Sequence, residues 1–379
     1  MIPYGRQSID EDDIAAVVEV LRSDWLTQGP AVANFEAGIA ERVEAKYAVS
    51  FANGTAALHA AIVAGGIGPK HHVLTSPLSF VASANCARYV GASVGFVDID
   101  PSTWNLDPRA VTKCDALVAV HYAGLPCELD RLAFRPRVVI EDACHALGAR
   151  TPAGPVGNCA HSDMTVFSFH PVKSITCGEG GIVTTNSREL AESMRRFRSH
   201  GTVPKPQYGG WYYEVETLGF NYRLTDLQAA LGLSQLDKLA TFVAMRNALA
   251  DRYRRLFRER NVGGIVLPPV ALDGAKHAYH LFPILVSERR RVYDALRARD
   301  IGTQVHYVPI YRHPLYADSN VSALDFPFTE HVYSGILSLP LHPTLTRSDQ
   351  DIVVDTVIQA IHEGSKHPTS SNDESAHAA

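Results

Sequence analysis

Three segments of the 379-residue chain set reactive side chains beside backbone that could present them. In Phe167-Ser168-Phe169-His170-Pro171-Val172-Lys173-Ser174-Ile175-Thr176-Cys177-Gly178-Glu179-Gly180-Gly181, a lysine stands between an apolar run and a glycine-rich turn. A lysine held in a partly desolvated site is less basic and can form an imine with an aldehyde, although most lysines are solvated surface groups. In Arg137-Val138-Val139-Ile140-Glu141-Asp142-Ala143-Cys144-His145, carboxylates lie just beyond a buried run. An aspartate there can pair with a pyridinium nitrogen and keep it protonated, or it can cap the following helix. His145 could stack on or hydrogen-bond such a ring, or serve the structure alone. In Asn53-Gly54-Thr55-Ala56-Ala57-Leu58, free N–H groups opening a helix and the Thr55 hydroxyl can converge on a phosphate. A plain glycine turn with Thr55 as the cap accounts for the same residues.

A fourth motif, Gly91-Ala92-Ser93-Val94-Gly95, has the G-x-S-x-G form of a hydrolase elbow. That elbow needs a strand before the serine and a helix after it. Here a helical stretch, Ala82 to Tyr89, precedes and an apparent strand, Val94 to Ile99, follows, so the motif reads as a turn.

The elements that must position these groups follow from periodicity. Ser8 to Glu11 has the form of a capping box, S-x-x-E, opening a helix that continues to Leu21. From Tyr47 to Thr185, short β-rich runs alternate with helical stretches: Ala48–Phe51, His72–Leu74, Val94–Val97, Ala116–Val120, Val138–Ile140, Met164–Phe167 and Ile182–Thr184. Continuous apolar runs separated by helices predict a mainly parallel sheet covered on both faces, with ligands beyond the carboxyl ends of its strands. A long helix is expected from Thr225 to about Glu259. Beyond the Gly263-Gly264 and Pro268-Pro269 breaks, a smaller α+β region should contain a strand (Phe282–Val286), a helix (Glu288–Arg299), a strand (Thr303–Tyr307) and a last helix (Ser348–His362). The polar segment Gly364–Ala379 has almost nothing to bury and should be disordered.

Composition excludes several classes. A formal net charge of -5 offers no basic face for nucleic acid or anionic lipid. The six cysteines include no C-x-x-C, so they read as thiols of a reducing cytoplasm rather than zinc ligands. Met1 to Asp10 lacks the form of a signal peptide, and no stretch of about 18 apolar residues suggests a membrane span. A cytoplasmic enzyme without a metal is therefore expected. A binding regulator without turnover is the rival class, but the chain offers no basic helix for one.

Taken together, Trp25-Leu26-Thr27-Gln28-Gly29-Pro30, Asn53–Leu58, Glu141-Asp142-Ala143-Cys144-His145-Ala146-Leu147-Gly148-Ala149, Ser168–Gly181 and Gly219-Phe220-Asn221-Tyr222-Arg223-Leu224-Thr225 resemble the sugar aminotransferases of the fold-type I pyridoxal phosphate (PLP) family, known from its early members as DegT, DnrJ and EryC. The resemblance runs from Ile2 to about Glu363. It implies an α/β fold with a mixed, mainly parallel sheet: a large PLP-binding domain over residues 1–250 and a small α+β domain over 251–363.

The resemblance also implies roles. Lys173 would carry the cofactor as a Schiff base and shuttle protons, Asp142 would pair with the pyridine nitrogen, and Phe80, in Ser79-Phe80-Val81-Ala82-Ser83-Ala84-Asn85, would stack on the ring. Thr55, Ala56 and Ser168 would hold the phosphate, and Asn221 would reach in from the second subunit of a homodimer with shared active sites. His145 stands where many relatives have glutamine. Family dehydratases carry histidine in place of the lysine, so Lys173 argues against that chemistry. Tyr4, Gln28 and His306 are set against the substrate by motif position alone, and each could equally be a packing or surface residue. Within the family, Glu141-Asp142-Ala143-Cys144-His145-Ala146-Leu147-Gly148, His170-Pro171-Val172-Lys173 and Gly302-Thr303-Gln304-Val305-His306-Tyr307 look most like the aminotransferase of pseudaminic acid biosynthesis, which aminates C4 of a UDP-linked 4-keto-6-deoxy-N-acetylhexosamine with nitrogen from L-glutamate. Perosamine-type and other nucleotide-sugar aminotransferases share nearly all of these motifs.

Overall fold

The structure is a computed structural model that describes residues 1–272, 274–319 and 321–366. Helix α1 (Glu11–Arg22) begins later than the S-x-x-E spacing suggests, because Asp10 rather than Ser8 is its cap. Asp10 accepts from the N–H groups of Asp12 and Asp13, and Asp13 accepts from that of Asp10. Tertiary anchoring explains the shift. Asp13 is fully buried and accepts from Ser234 at 2.6 Å and Gln235 at 2.7 Å, while the Ser8 carbonyl is taken by Gln235. Helix α2 (Pro30–Arg42) borrows a cap from far along the chain, since the Asp226 carboxylate accepts from the N–H groups of Gly29 and Ala31.

All seven expected runs become strands of one sheet. They are β1 (Tyr47–Phe51), β2 (His72–Thr75), β3 (Ser93–Phe96), β4 (Ala116–Val120) and β5 (Val138–Asp142), then, past a short ribbon β6–β7 (Arg150–Thr151 and Gly154–Pro155), β8 (Met164–Ser168) and β9 (Gly181–Thr185). Their order is β1-β9-β8-β5-β4-β2-β3, with β3, β2, β4, β5 and β8 parallel and β9 antiparallel to both neighbours. Helices α3 (Gly54–Ala64), α4 (Ala82–Tyr89) and α5 (Arg188–Phe197) cover one face, burying Leu58, Ile62 and Met194 against Val49, Val118 and Ile140. On the other face, α2 and the N-terminal half of α6 (Asp226–Glu259) bury Phe35, Ile39, Leu236 and Leu239 against Phe167 and Ile182. Each such side chain contributes about 1.5–3 kcal/mol on leaving water. Ser93 opens β3 directly after α4, the reverse of a nucleophile elbow, so G-x-S-x-G is a turn here.

An exposed hairpin, β10 (Thr202–Pro204) with β11 (Tyr213–Val215), leads to α6, whose capping box is Thr225 with Gln228. The C-terminal half of α6 packs on a second sheet of β12 (Ile265–Val266), β13 (Phe282–Val286) and β14 (Ile336–Leu339). Helices α7 (Arg289–Ala298), α8 (Pro327–Gly335) and α9 (Arg347–Lys366) complete this lobe, and the N-terminus joins it through a bridge from Ile2 to Ile301. Residues 303–307, expected as a strand, make only one isolated bridge, Gln304 with Ser338. Their polar groups are satisfied by side chains instead: Thr303 Oγ1 donates to the Ser338 carbonyl and Tyr122 Oη to that of His306. Helix α9 runs on through Lys366, so residues 364–366 of the expected tail are helical, and residues 367–379 lie outside the described residues. None of the six cysteines is in a disulfide, and among the described residues no helix is long and apolar enough to cross a membrane.

Candidate active site

The ends of β4, β5 and β8, the segments that follow β1 and β2, and the loop after β8 surround a cavity of about 1100 Å³, closed on its far side by residues 304–308 and His313 of the C-terminal lobe. After β1, Asn53 caps α3 by accepting from the N–H of Ala56 at 2.8 Å, so Thr55 is not the cap. No acceptor among the described residues meets the N–H groups of Gly54 or Thr55. Gly54 is required sterically: a Cβ there would lie 2.9 Å from that of Ser168, the last residue of β8. Unpartnered donors at a helix N-terminus, with Thr55 and Ser168 beside them on the cavity, have the chemistry to receive an anion.

Neighbouring carboxylates on β5 point to opposite faces, as strand geometry demands. Asp142 faces the cavity, is 6% exposed, and accepts from Ser83 Oγ at 2.7 Å and the Cys144 N–H at 3.2 Å. Glu141 faces away into a closed network. It accepts from His121 Nε2 at 2.7 Å, from Thr165 at 3.0 Å and from Ser162, while His121 Nδ1 accepts from the Cys127 N–H. Burial raises the Glu141 pKa, but the hydrogen bonds from His121 and the two hydroxyls outweigh it and leave the group below the usual carboxylate range.

Lys173 follows β8 in a turn whose N–H donates to the His170 carbonyl at 2.9 Å. Burial lowers its pKa, opposed by the nearby Cys144 and Asp142. Among the described residues no hydrogen bond or ion pair reaches its Nζ, which leaves an amine available for carbonyl chemistry. His145 places Nε2 3.2 Å from the Tyr307 hydroxyl and its ring 4.3 Å from that of His280, and among the described residues its buried Nδ1 has no partner. Burial, then the charges of Lys173 and His306, hold His145 well below the ordinary histidine range. His306 is brought down to about 4, chiefly by burial, and its Nδ1 lies 2.9 Å from Ser338 Oγ. Tyr4 packs against it with ring centroids 5.5 Å apart.

The structure thus gathers Tyr4, Thr55, Ala56, Phe80, Asp142, His145, Ser168, Lys173 and His306 around one cavity. Gln28 and Asn221 are exposed and lie outside the cavity of their own chain. Three contributors went unnamed in the sequence. Ser83 was discoverable by its helical spacing from Ser79, whose hydroxyl it meets at 2.7 Å. Tyr307 lay inside a motif used only for His306. Nothing in the sequence marks His280.

This donor set fits PLP. It combines an amine of lowered basicity, a buried carboxylate, unpartnered amides beside two hydroxyls, the unpartnered His145 Nδ1, and Phe80, 56% exposed at the cavity. Solved chains of this fold occur in PLP and PMP forms.

Comparison with known proteins agrees. The chain is 38% identical to the spore coat polysaccharide biosynthesis protein SpsC of Bacillus subtilis, over 94% of this chain and 96% of that one. It is 34% identical to the UDP-4-amino-4,6-dideoxy-N-acetyl-beta-L-altrosamine transaminase of Campylobacter jejuni, over 97% and 99%. The solved structure of Helicobacter pylori PseC, an aminotransferase involved in the biosynthesis of pseudoaminic acid, superimposes with a TM-score of 0.86 at 32% identity, covering 96% of this chain and 99% of that one. Residues 7–358 match the DegT/DnrJ/EryC1/StrS aminotransferase family, and with Lys173 and Asp142 set at the strand ends the chain belongs to that family of PLP-dependent sugar aminotransferases.

Proposed function

We propose that this enzyme transfers an amino group from L-glutamate to the C4 ketone of a UDP-linked 4-keto-6-deoxy-N-acetylhexosamine, the reaction of a UDP-4-amino-4,6-dideoxy-N-acetyl-β-L-altrosamine transaminase in pseudaminic acid biosynthesis. The observation that carries the reading is the Lys173 amine, desolvated and unpartnered, on a cavity whose opposite wall is built of Gln304, His306 and His313. A volume of about 1100 Å³ is ample for a cofactor together with a sugar. The kinship to the Campylobacter transaminase favours the UDP-linked sugar.

Bound there, PLP supplies an electron sink for the carbanion that forms when the donor's α-proton leaves. Lys173 Nζ would hold the cofactor and, once displaced by the donor, would move the donor's α-proton across to the cofactor in the first half-reaction and run that transfer in reverse in the second, so one amine serves both halves. Asp142, oriented by Ser83, keeps the pyridine nitrogen protonated. Thr55 and Ser168, with the N–H groups of Gly54 and Thr55, hold the phosphate. The Ala56 N–H is already given to Asn53, so Ala56 contributes by packing unless that bond opens. Phe80 stacks on the ring and His145 borders it. Tyr4 and His306 face the sugar, with Gln28 a further contact on it.

We read the working form as a cytoplasmic homodimer with shared active sites. Asn221 is exposed outside its own cavity, and the hairpin tip carries Trp211, 81% exposed; both suit a second copy supplying Asn221 and Gln28. The division into domains at about residue 250, within α6, belongs to the same reading. The higher identity to SpsC, named for spore coat polysaccharide biosynthesis, favours one alternative, a different nucleotide-linked keto sugar; the GDP-linked substrate of a perosamine synthase is one such sugar.

The test is turnover with L-glutamate and a panel of UDP- and GDP-linked 4-keto-6-deoxy sugars, followed by mass spectrometry of the amino sugar and assay of 2-oxoglutarate. A kcat/KM at least about 100-fold higher for the UDP-N-acetyl substrate is expected, the scale of losing several specific polar contacts. Equal or better use of a GDP-linked sugar contradicts the assignment.

A further inference from the structure

Arg246 is the buried charge that the site chemistry leaves unused. It lies on α6 where the helix passes from the apolar cluster of Leu239, Phe242 and Val243 to that of Ala250 and Tyr253, the seam between the two sheets. The residue is 1% exposed, and among the described residues no carboxylate pairs with it. Its guanidinium donates instead to main-chain carbonyls: Leu341 at 2.8 Å, Tyr279 and His280 at 3.4 Å each, and Val172 and Lys173 at 3.5 Å each.

These acceptors fall into two groups. Tyr279 and His280 lead into β13 and Leu341 follows β14, so three belong to the C-terminal lobe, while Val172 and Lys173 form the turn that presents the reactive amine. A guanidinium buried against neutral carbonyls costs free energy that an apolar side chain of similar volume would not. The four longer bonds are individually weak. What the planar fork offers is reach to several acceptors at once, which a lysine ammonium lacks. His280, whose carbonyl is gripped, lays its ring 4.3 Å from that of His145, so the same grip extends to the cavity wall.

We propose that Arg246 is a positioning residue for Lys173: holding the carbonyls of Val172 and Lys173 on one side and of Tyr279, His280 and Leu341 on the other, it sets the reactive amine relative to the lobe that faces the substrate. The inference rests on Lys173 as the cofactor-bearing amine. Loosening the grip lets the turn drift relative to that lobe, so the proton transfers at Nζ suffer more than substrate binding does.

Arg246→Met and Arg246→Lys test this, with Arg254→Met as the control. Arg254 stands eight residues on along α6, is 8% exposed, and donates to the carbonyls of Pro268 and Pro269 and to the Tyr279 hydroxyl at 3.2 Å, on the lobe side, without touching the Lys173 turn. Two readouts are compared. In the apoenzyme, the pH dependence of Lys173 acylation by a small amine-reactive reagent is followed by peptide mass spectrometry. In the PLP-loaded enzyme, kcat and KM of the L-glutamate half-reaction are measured per site trapped by borohydride. Arg246→Met is expected to shift the acylation profile and to lower kcat about 100-fold, the cost of an ångström-scale misplacement, with KM changed far less. Arg246→Lys should recover part of the loss. Arg254→Met should lower Tm yet leave the profile and kcat as in the wild type. Folded Arg246→Met with the profile and kcat of Arg254→Met overturns the proposal; should Arg246→Met not fold, an unchanged profile and kcat in Arg246→Lys does the same. Turnover by Lys173→Ala would instead defeat the assignment of Lys173, so the two failures are distinct.

Discussion

The two walls of the cavity are held in different ways. On the strand side, Asp142 and Ser168 end ladder-bonded strands of the large sheet, and Gly54 and Thr55 open a capped helix. Opposite them, residues 304–308 run without a ladder, fixed by side-chain bonds such as Thr303 to the Ser338 carbonyl and His306 to Ser338. A ladder fixes an atom to within the stiffness of the sheet, which suits cofactor chemistry that does not change with the sugar. An irregular segment can change sequence without disturbing that chemistry, which suits the choice of sugar. Damage to the strand side should therefore abolish both half-reactions, and damage to the lobe side should spare the first.

The largest effect that sharpens this contrast is Lys173→Ala, expected to cost at least about 10³-fold in kcat through loss of the proton carrier, with Tm nearly unchanged. Asp142→Asn should follow at about 10²-fold in both half-reactions, as expected when a charge-assisted bond to a protonated ring nitrogen is lost. Its neighbour separates catalysis from support. Glu141→Gln should cost roughly 1–3 kcal/mol of stability by unbalancing a buried network, while activity per folded molecule stays near wild type. Equal losses of activity for the two substitutions would break the contrast between the two faces of β5.

Acid stability tests the same buried groups. Glu141 titrates below its usual range in the folded chain, so its contribution is present above the unfolded carboxylate pKa and lost as pH falls through the folded one. His306 and His342 are lowered from 6.5 to about 4, and His145 and His280 lie well below 6.5. These histidines are neutral when folded and take up protons on unfolding, so stability falls as pH drops from about 6.5 toward 4. Calorimetry should find Tm declining across that window, and a flat Tm would contradict the burial of these rings.

On the lobe side, His306→Gln should raise KM for the sugar about 10-fold while leaving the glutamate half-reaction within about 2-fold, the scale of one hydrogen bond. Tyr307→Phe, which removes only the 3.2 Å contact to His145, should have the smallest effect, under about 5-fold. A collapse of the glutamate half-reaction in either variant would mean that the lobe wall takes part in the shared chemistry.

The same contrast explains what was legible in the sequence. The strand side could be read because apolar runs such as Ala116–Val120 and Val138–Ile140 are buried on both faces and carry no competing pattern. Asp142 and Lys173 then lie where the rule that ligands gather beyond strand carboxyl ends looks for them, whereas the role of Ser168 came from the family resemblance alone. The lobe side was misread at Thr303–Tyr307, because a β-rich run says nothing about whether side chains will take over its backbone partners. The start of α1 slipped for a related reason: Asp13 answers to Ser234 and Gln235, more than 220 residues away, and no local spacing reports that. Ser83 and His280 stayed hidden because their roles are fixed by what folds against them.

The central claim is that Lys173 is the amine that anchors the cofactor and moves the proton in both half-reactions. It is tested most directly by the absorbance spectrum of the purified protein with PLP, before and after L-glutamate, for the wild type and Lys173→Ala. The account predicts a visible band of lysine-bound cofactor in the wild type alone, replaced on adding L-glutamate by the near-ultraviolet band of pyridoxamine phosphate. A wild type without that visible band, or a Lys173→Ala variant that gives the same shift at the same rate, would contradict it.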